Sequence, residues 1–312
     1  MTVPTFDVAI TTYKRPDFAV AAVKSCLSQG QLLNNVIIVD DASHDDTGKR
    51  ISELMDDRII YYLRNQNGGI GAARRDSFNL SQAGWTIMLD SDHELLPGTI
   101  GAFACMAQTA DPEIGILGAR FRWDDGHISP VTVPSEPIDY AGRIRWCNRP
   151  DGIGADHLFC VARWVRDKVK WPIFRGGMMD TLFHLDIAKE AKALFTGECL
   201  ALQKSVAPEG HTRGLAMDRF ARRMLDAKDV VKTTELILDR HCNALKAHGL
   251  WFYGGILQTG AYYAFLSGQR KKCLKWLAES IRAKGLNIEA LGILVGVIWG
   301  KDIFRLLYRM RG

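Results

Sequence analysis

Four short apolar runs punctuate the first hundred residues, and each ends in a polar cluster: FDVAIT (Phe6–Thr11), VIIVD (Val36–Asp40), IIYYL (Ile59–Leu63) and WTIMLDSD (Trp85–Asp92). Runs this short and this rich in β-branched residues read as strands. An almost wholly apolar run such as VIIVD is the mark of a strand buried on both faces of a parallel sheet. Helical patterns lie between them. Pro16 and Asp17 open one that continues through Val20, Val23 and Leu27. The turn and capping residues DASHDDT (Asp41–Thr47) start a second, which takes in Ile51, Leu54 and Met55, and a glycine-containing loop at Asn65–Gly71 leads to a third over Ala72–Ala83. Four such units predict an α/β fold of Rossmann type, a mostly parallel sheet flanked by helices. Sheets of this kind bind ligands at the carboxyl ends of their strands, which is where the polar clusters fall.

The middle, about residues 120–215, is less regular and rich in aromatic and basic residues: Phe121, Trp123, Tyr140, Trp146, Trp164, Trp171 and Phe174. It reads as core packing together with loops that build a substrate pocket over a rigid scaffold. From about residue 216 the chain reads as helical to its end. Gly249–Gln269 has no charge, Lys271–Lys284 is a basic amphipathic helix, and Gly260–Gly285 resembles one helical hairpin of the tetratricopeptide kind.

Composition narrows the function classes. The chain has 312 residues, 47% of them hydrophobic and 24% charged, which argues for a globular protein with a sizeable core. Its seven cysteines include no C-x-x-C pair, so a reducing compartment is expected and a zinc ribbon is not. The first residues reach Asp7 before any long apolar run, so no secretory leader is expected. The net charge of +5 is uneven: Ser267–Gly312 holds ten Lys/Arg against three acids, a net of +7, leaving −2 for the 266 residues before it. A basic tail on a slightly acidic body argues against a nucleic-acid partner for the whole protein.

The strongest chemical signal is Asp90-Ser91-Asp92 at the end of the fourth run. Two carboxylates at a bending strand end can share one cavity and hold a hard divalent cation with the phosphates of a substrate. Three more polar clusters precede it in order, each after a predicted strand: TTYKRPD (Thr11–Asp17), VDDASHDDT (Val39–Thr47) and NGGIGAARR (Asn67–Arg75).

With these four motifs the sequence resembles the inverting glycosyltransferases of family 2, which have the GT-A fold, over about residues 5–215. That resemblance implies a GT-A domain at 1–215, its nucleotide-sugar half at about 1–100 and its acceptor and catalytic half at about 101–215, followed by a helical region at 216–312. It implies transfer of a sugar from a nucleoside-diphosphate sugar to the hydroxyl of a saccharide or lipid-linked acceptor, with Mn²⁺ or Mg²⁺ as cofactor. Thr11, Tyr13, Arg15, Asn67, Gly71 and Ser91 fall in the nucleotide-sugar motifs. Asp41 would accept a hydrogen bond from the base. Arg74 would face the ribose or diphosphate; the residue after it, usually Asn in the family, is here Arg75. Asp90 would contact the ribose or the metal shell, and Asp92 would ligate the metal. His211, in PEGHTRG, would be a further metal or diphosphate contact.

An inverting displacement also needs a carboxylate to take the acceptor proton. The family places it in a short acidic motif at a helix start past D-x-D, and FRGGMMDTLFHLDIAKEAK (Phe174–Lys192) fits, with Asp180 as the base. The match is partial, because Met179 stands where the first acid of the usual pair would be. Asp186 is the competing acid, on a different face of the same helix. His44, His93 and His184 have no comparable reason to be chosen. A sugar-phosphate nucleotidyltransferase would share the sheet and the metal, but TTYKRPD lacks the glycines of its first loop. A helical adaptor would leave the four ordered motifs unexplained.

The last segment predicts a surface for membranes. Ala290–Gly300 is too short to span a bilayer, and KDIFRLLYRMRG after it places Ile303, Leu306, Leu307 and Met310 opposite Lys301, Arg305, Arg309 and Arg311. That is the pattern of an interfacial helix on an anionic leaflet, and it predicts a cytoplasmic protein peripheral to the inner face of the cell membrane.

Overall fold

The structure, a computed structural model, describes residues 4–149, 156–174, 176, 178–204 and 219–300. Its strands are β1 (Phe6–Thr12), β2 (Leu33–Asp40), β3 (Ile59–Leu63), β4 (Trp85–Asp90), β5 (His93–Leu95), β6 (Ile114–Trp123), β7 (Ile128–Ser129), β8 (Leu158–Ala162) and β9 (Lys192–Gln203). The helices are α1 (Pro16–Leu27), α2 (Thr47–Ser52), α3 (Ile70–Leu80), α4 (Thr99–Thr109), α5 (Tyr140–Cys147), α6 (Arg163–Arg166), α7 (Met178–Glu190), α8 (Arg219–His248), α9 (Leu250–Leu266), α10 (Arg270–Lys284) and α11 (Ile288–Trp299). Contacts group the chain into two compact units. One is Met1–Arg143 with Ile153–Ile173 and Phe183–Leu215; the other is Ile144–Gly152 with Phe174–Leu182 and Ala216–Gly312.

The first unit is one nine-stranded sheet in the order β3-β2-β1-β4-β8-β6-β9-β5, with β7 on β6. The four expected strands pair parallel as β3-β2-β1-β4. Every residue of β1 is buried, as are Val36–Asp40 of β2, as near-continuous apolar runs require. Beyond β4 the sheet turns mixed: β8 is antiparallel to both β4 and β6, and β6 is parallel to β9. These strands lie in the stretch that reads as irregular. Their apolar runs are broken by Gly115 and Gly118 in β6, and β9 passes through Gly197 and Glu198 with register shifts against β6, so no clean period marks them.

Several boundaries differ from the sequence reading, among them α3, which runs Ile70–Leu80 and stops short of Ala83. Helix α2 ends at Ser52, short of Leu54 and Met55, because the amides of Leu54 and Met55 bond three residues back and Met55 turns left-handed (φ 46°), leaving its side chain 90% exposed. The fourth strand stops at Asp90, and a turn at Ser91–Asp92 leads into β5.

One charge inside β1 needs an account. Asp7 is fully buried. Its Oδ1 accepts from Asn34 Nδ2 (2.9 Å) and Asn35 N (3.0 Å), and its Oδ2 from Ser81 Oγ (2.7 Å), Gln82 N (2.8 Å) and Ala83 N (2.9 Å). Arg166 donates to the Ser81 hydroxyl (2.6 Å) and to Thr86. A buried carboxylate with both oxygens satisfied and a cation one hydroxyl away is tolerated, and it ties β1 to the start of β2 and to the α3–β4 turn.

In the second unit the uncharged run becomes α9, covered by the helices of its own unit. The ideal Cβ of Gly260 would meet Thr234 of α8 at 2.6 Å and Trp276 of α10 at 3.0 Å, so a glycine lets both neighbours approach. Ser280 Oγ donates to the Gly254 carbonyl (2.7 Å), and Tyr253 OH donates to Glu279 (2.6 Å). Gln258 Nε2 bonds Asn287 Oδ1 (3.1 Å) and Glu289 Oε2 (2.7 Å), while Asn287 caps α11 by accepting from Ala290 N (2.8 Å). No helix among the described residues is long and apolar enough to cross a membrane.

Candidate active site

Register brings the motifs to one level. Thr11 of β1 pairs with Asp90 of β4 and Val39 of β2; Thr12 pairs with Asp40, and Asp40 with Leu63 of β3. All stand at the carboxyl edge of the parallel strands. The β1 and β2 loops are stitched together there: Lys14 N donates to Ser43 Oγ (2.7 Å) and Asp41 N to the Thr12 carbonyl (3.0 Å). Lys14, Ala42 and His44 take left-handed backbone angles (φ 53°, 65° and 53°), a cost that these bonds help to offset. Tyr13 is half-buried, with Lys14 Nζ 5.4 Å from its ring centre.

Asp40, not singled out from sequence, anchors that loop. It is buried and accepts from Ser43 N (2.8 Å), Ser43 Oγ (2.5 Å) and Tyr61 OH (2.7 Å). Burial first and the Asp40 carboxylate second push the Tyr61 phenol up, so it stays a donor. Asp41 holds the next motif. Its carboxylate accepts from Arg64, Gly68 N (2.9 Å) and Gly69 N (2.7 Å), and Asn67 Nδ2 donates to its carbonyl (3.1 Å). Arg64 also reaches Asp76 (2.8 Å). A side chain at Gly68 would strike the Arg64 guanidinium, and Gly69 is left-handed (φ 83°), so both glycines are required where the chain wraps Asp41. With three of about four acceptor positions used, one position on Oδ2 is left for a ligand.

Helix α3 starts from that turn, with Gly71 buried in its first turn, and carries Arg74 to the other motif. Arg74 Nη2 donates to Asp90 Oδ1 at 2.7 Å, and its guanidinium lies 5.2 Å from the Trp171 ring centre. Arg75 turns to Asp76 at 3.4 Å instead. Arg15 Nη1 reaches Asp92 Oδ2 at 3.3 Å, and His93 Nδ1 lies 2.9 Å from Asp92 Oδ1. Burial, the largest single influence on Asp90, raises its pKa, but Arg74, His93 and Arg15 together outweigh it and the net shift is downward. Asp90 therefore stays ionised. Ser91 is buried between the two acids.

Ligand atoms of Asp90, Asp92 and His93 lie within 4.8 Å of one another. Two carboxylates and an imidazole suit a divalent cation such as Mn²⁺ or Mg²⁺, so these residues fit the expected metal. The sequence reading gave His93 no role, and the structure sets its ring beside Asp92. Its adjacency to D-x-D was visible, but only the turn at Ser91–Asp92 brings its ring to Asp92.

Asp156 was also missed. It lies two residues before β8, the strand antiparallel to β4, and Ser129 Oγ donates to its carbonyl at 3.0 Å. Asp156 is exposed and feels the charges of Asp90, His93 and Arg74, which marks it as an electrostatic neighbour of the D-x-D turn.

Asp180 stands half-buried in the first turn of α7, after the buried Met178 and Met179. It belongs to the second unit, while Asp186 belongs to the first. Asp186 acts on Tyr140, whose phenol is pushed up to about 12 by burial and then by that carboxylate. His211 lies outside the described residues.

Residues 7–159, from β1 into β8, match the sequence model of Glycosyl transferase family 2, and the chain carries a domain of that family. In fold it is a GT-A protein: it resembles the crystal structure of S. aureus TarS 1-349 with a TM-score of 0.57 and 14% identity, over 91% of this chain and 93% of that one. It also resembles the mannosyltransferase PcManGT from Pyrobaculum calidifontis, in a structure with GDP-Man and Mn²⁺, with a TM-score of 0.55 and 16% identity, over 98% of this chain and 84% of that one. Among curated proteins it is 35% identical over 141 residues to an Escherichia coli UDP-Glc:alpha-D-GlcNAc-diphosphoundecaprenol beta-1,3-glucosyltransferase, WfaP, covering 45% of this chain and 56% of that protein. The chain spans 33%, 56% and 47% of the length of the first three curated relatives that it matches.

Proposed function

We propose that this protein is an inverting, metal-dependent glycosyltransferase that moves a hexosyl or N-acetylhexosaminyl group from a nucleoside-diphosphate sugar to a hydroxyl of a lipid-linked saccharide. One observation carries the reading: Asp90, Asp92 and His93 converge within 4.8 Å at the carboxyl edge of the sheet, with Arg15 and Arg74 beside them. Carboxylates and cations gathered at one edge are suited to a diphosphate and its metal. Asp41, with an acceptor position left on Oδ2, serves the base of the nucleotide, and the Asn67–Gly69 turn that it fixes sets the start of α3. Thr11 near the end of β1 and Tyr13 just after that strand line the nucleotide pocket.

Asp90, Asp92 and His93 hold Mn²⁺ or Mg²⁺, which when bound neutralises the charge gathering on the departing diphosphate. Arg74, buried and stacked on Trp171, stays charged and directed at the diphosphate. Asp180 accepts the proton of the acceptor hydroxyl as that oxygen attacks the anomeric carbon from the side opposite the leaving group. Residues 1–215 form the catalytic domain, with the acceptor half at about 101–215, and 216–312 a helical, membrane-associating region. The lipid-linked acceptor and the UDP-sugar donor are suggested by the name of the E. coli relative.

The test is a panel of UDP-, GDP- and dTDP-sugars read by thermal shift with Mn²⁺, since a bound ligand raises apparent stability by mass action. Transfer from the donor that binds is then followed by NMR of the anomeric proton in the first product. No stabilisation by any donor, or a product with retained configuration, overturns the reading.

A further inference from the structure

Helix α11 is apolar on two faces, and only one is covered. Ala290, Ile293, Gly296 and Val297 form its buried stripe. At about 100° per residue, Ile288, Leu291, Ile298 and Trp299 fall within a sector of about 100° on another side. They are 64%, 46%, 64% and 59% exposed, and Leu286 just before the helix is 57% exposed. The one charge in the helix, Glu289, is bonded to Gln258 of α9. A surface helix normally turns polar residues outward; one that stays apolar there is built to meet another apolar phase.

Charge indicates which phase. Lys271, Lys275 and Arg282 are exposed on α10 and share one face of it at helical spacing. Directly after Trp299 and Gly300 the sequence continues with Lys301, Arg305, Arg309 and Arg311 against the single acid Asp302. The segment Ser267–Gly312 carries a net of +7. A second copy of the chain would bring a like charge to this face and be repelled, whereas an anionic lipid surface offers both the apolar depth and the opposite charge. Tryptophan at the end of the stripe suits the boundary between acyl chains and headgroups.

We propose that the outer face of α11, formed by Leu286, Ile288, Leu291, Ile298 and Trp299, docks the protein on an anionic lipid bilayer without spanning it. This deepens the reading of a lipid-linked acceptor, since it brings the enzyme to the surface that holds such a substrate.

The experiment uses the full chain and vesicles of phosphatidylcholine alone or mixed with phosphatidylglycerol. The wild type is expected to sediment with the anionic vesicles, and less so as salt rises. The double variant Leu291→Asp with Ile298→Asp, both at exposed positions, is expected to lose about tenfold or more of that binding. If the aspartates impair folding, Leu291→Gln with Ile298→Gln reports the same loss more mildly. Absence of wild-type binding to anionic vesicles, equal binding to both vesicle types, or unchanged binding of the folded variant each overturns the proposal. So does a dimer in light scattering that the variant dissolves. Donor binding without vesicles is measured on both proteins: lipid binding without donor binding defeats the glycosyltransferase reading and leaves this surface standing, and the reverse result does the opposite.

Discussion

Arg74 of α3 and Asp90 of β4 meet at 2.7 Å, and the same guanidinium lies over Trp171, so one side chain ties the helix start that Asp41 organises to the D-x-D turn. Lysine at position 74 would keep the charge but lose the planar fork and the stacking. Arg74→Lys is expected to weaken donor binding about tenfold in calorimetry while the protein stays folded. Unchanged donor affinity would remove Arg74 from the site.

Asp92→Asn is nearly isosteric and removes the charge that a cation needs. Mn²⁺ binding, followed by electron paramagnetic resonance of the free ion, is expected to fall at least tenfold. Excess chelator should abolish transfer by the wild type. Full activity in chelator would end the metal reading.

Asp180→Asn is nearly isosteric and removes the proton acceptor. Turnover is expected to drop by about 10²–10⁴-fold with donor affinity near normal. Asp186→Asn should leave turnover within a few-fold, since that carboxylate acts on Tyr140. The opposite pattern would move the base to Asp186.

Asp7 is a test of the fold and not of the chemistry. Asp7→Ala strands the amides of Asn35, Gln82 and Ala83 and the Ser81 hydroxyl in the interior. A loss of about 3 kcal/mol or more is expected in denaturant unfolding. A change below about 0.5 kcal/mol would mean that the network is not formed.

His184 predicts an acid-side weakness. It packs against Phe159 at 4.7 Å. Burial first, then Arg143, His157 and Arg74, hold its pKa well below the usual 6.5. The folded state keeps the ring neutral while the unfolded state binds a proton below about pH 6.5. Stability should therefore fall as the pH drops through that value. Melting between about pH 7.5 and pH 5.5 should show a smaller decline in His184→Phe than in the wild type. Equal declines would place the acid sensitivity elsewhere.

The parallel half of the sheet was legible because Val36–Asp40 and its companion runs are short, apolar and β-branched, although β3 proved to be a half-exposed edge strand and not a buried one. The order of the four polar clusters was legible because each follows such a run, and a parallel sheet puts every strand end on one edge. Helix α9 was legible as a helix, since the chain reads as helical from about residue 216 and Gly249–Gln269 carries no charge. What residue spacing does not carry is contact between residues far apart. His93 lay beside D-x-D in the sequence without a reason to choose it until the turn at Ser91–Asp92 brought its ring to Asp92. Asp40 looked like half of an acidic pair until Ser43 and Tyr61 were found on it. Asp156 acquired a place only through the antiparallel strand β8, inserted beside β4 from about seventy residues further along. The outer face of α11 could not be told from its inner face, because both are apolar. Only packing against α9 and α10 decided which stripe was covered, since burial belongs to the whole assembly of helices and not to the period of one.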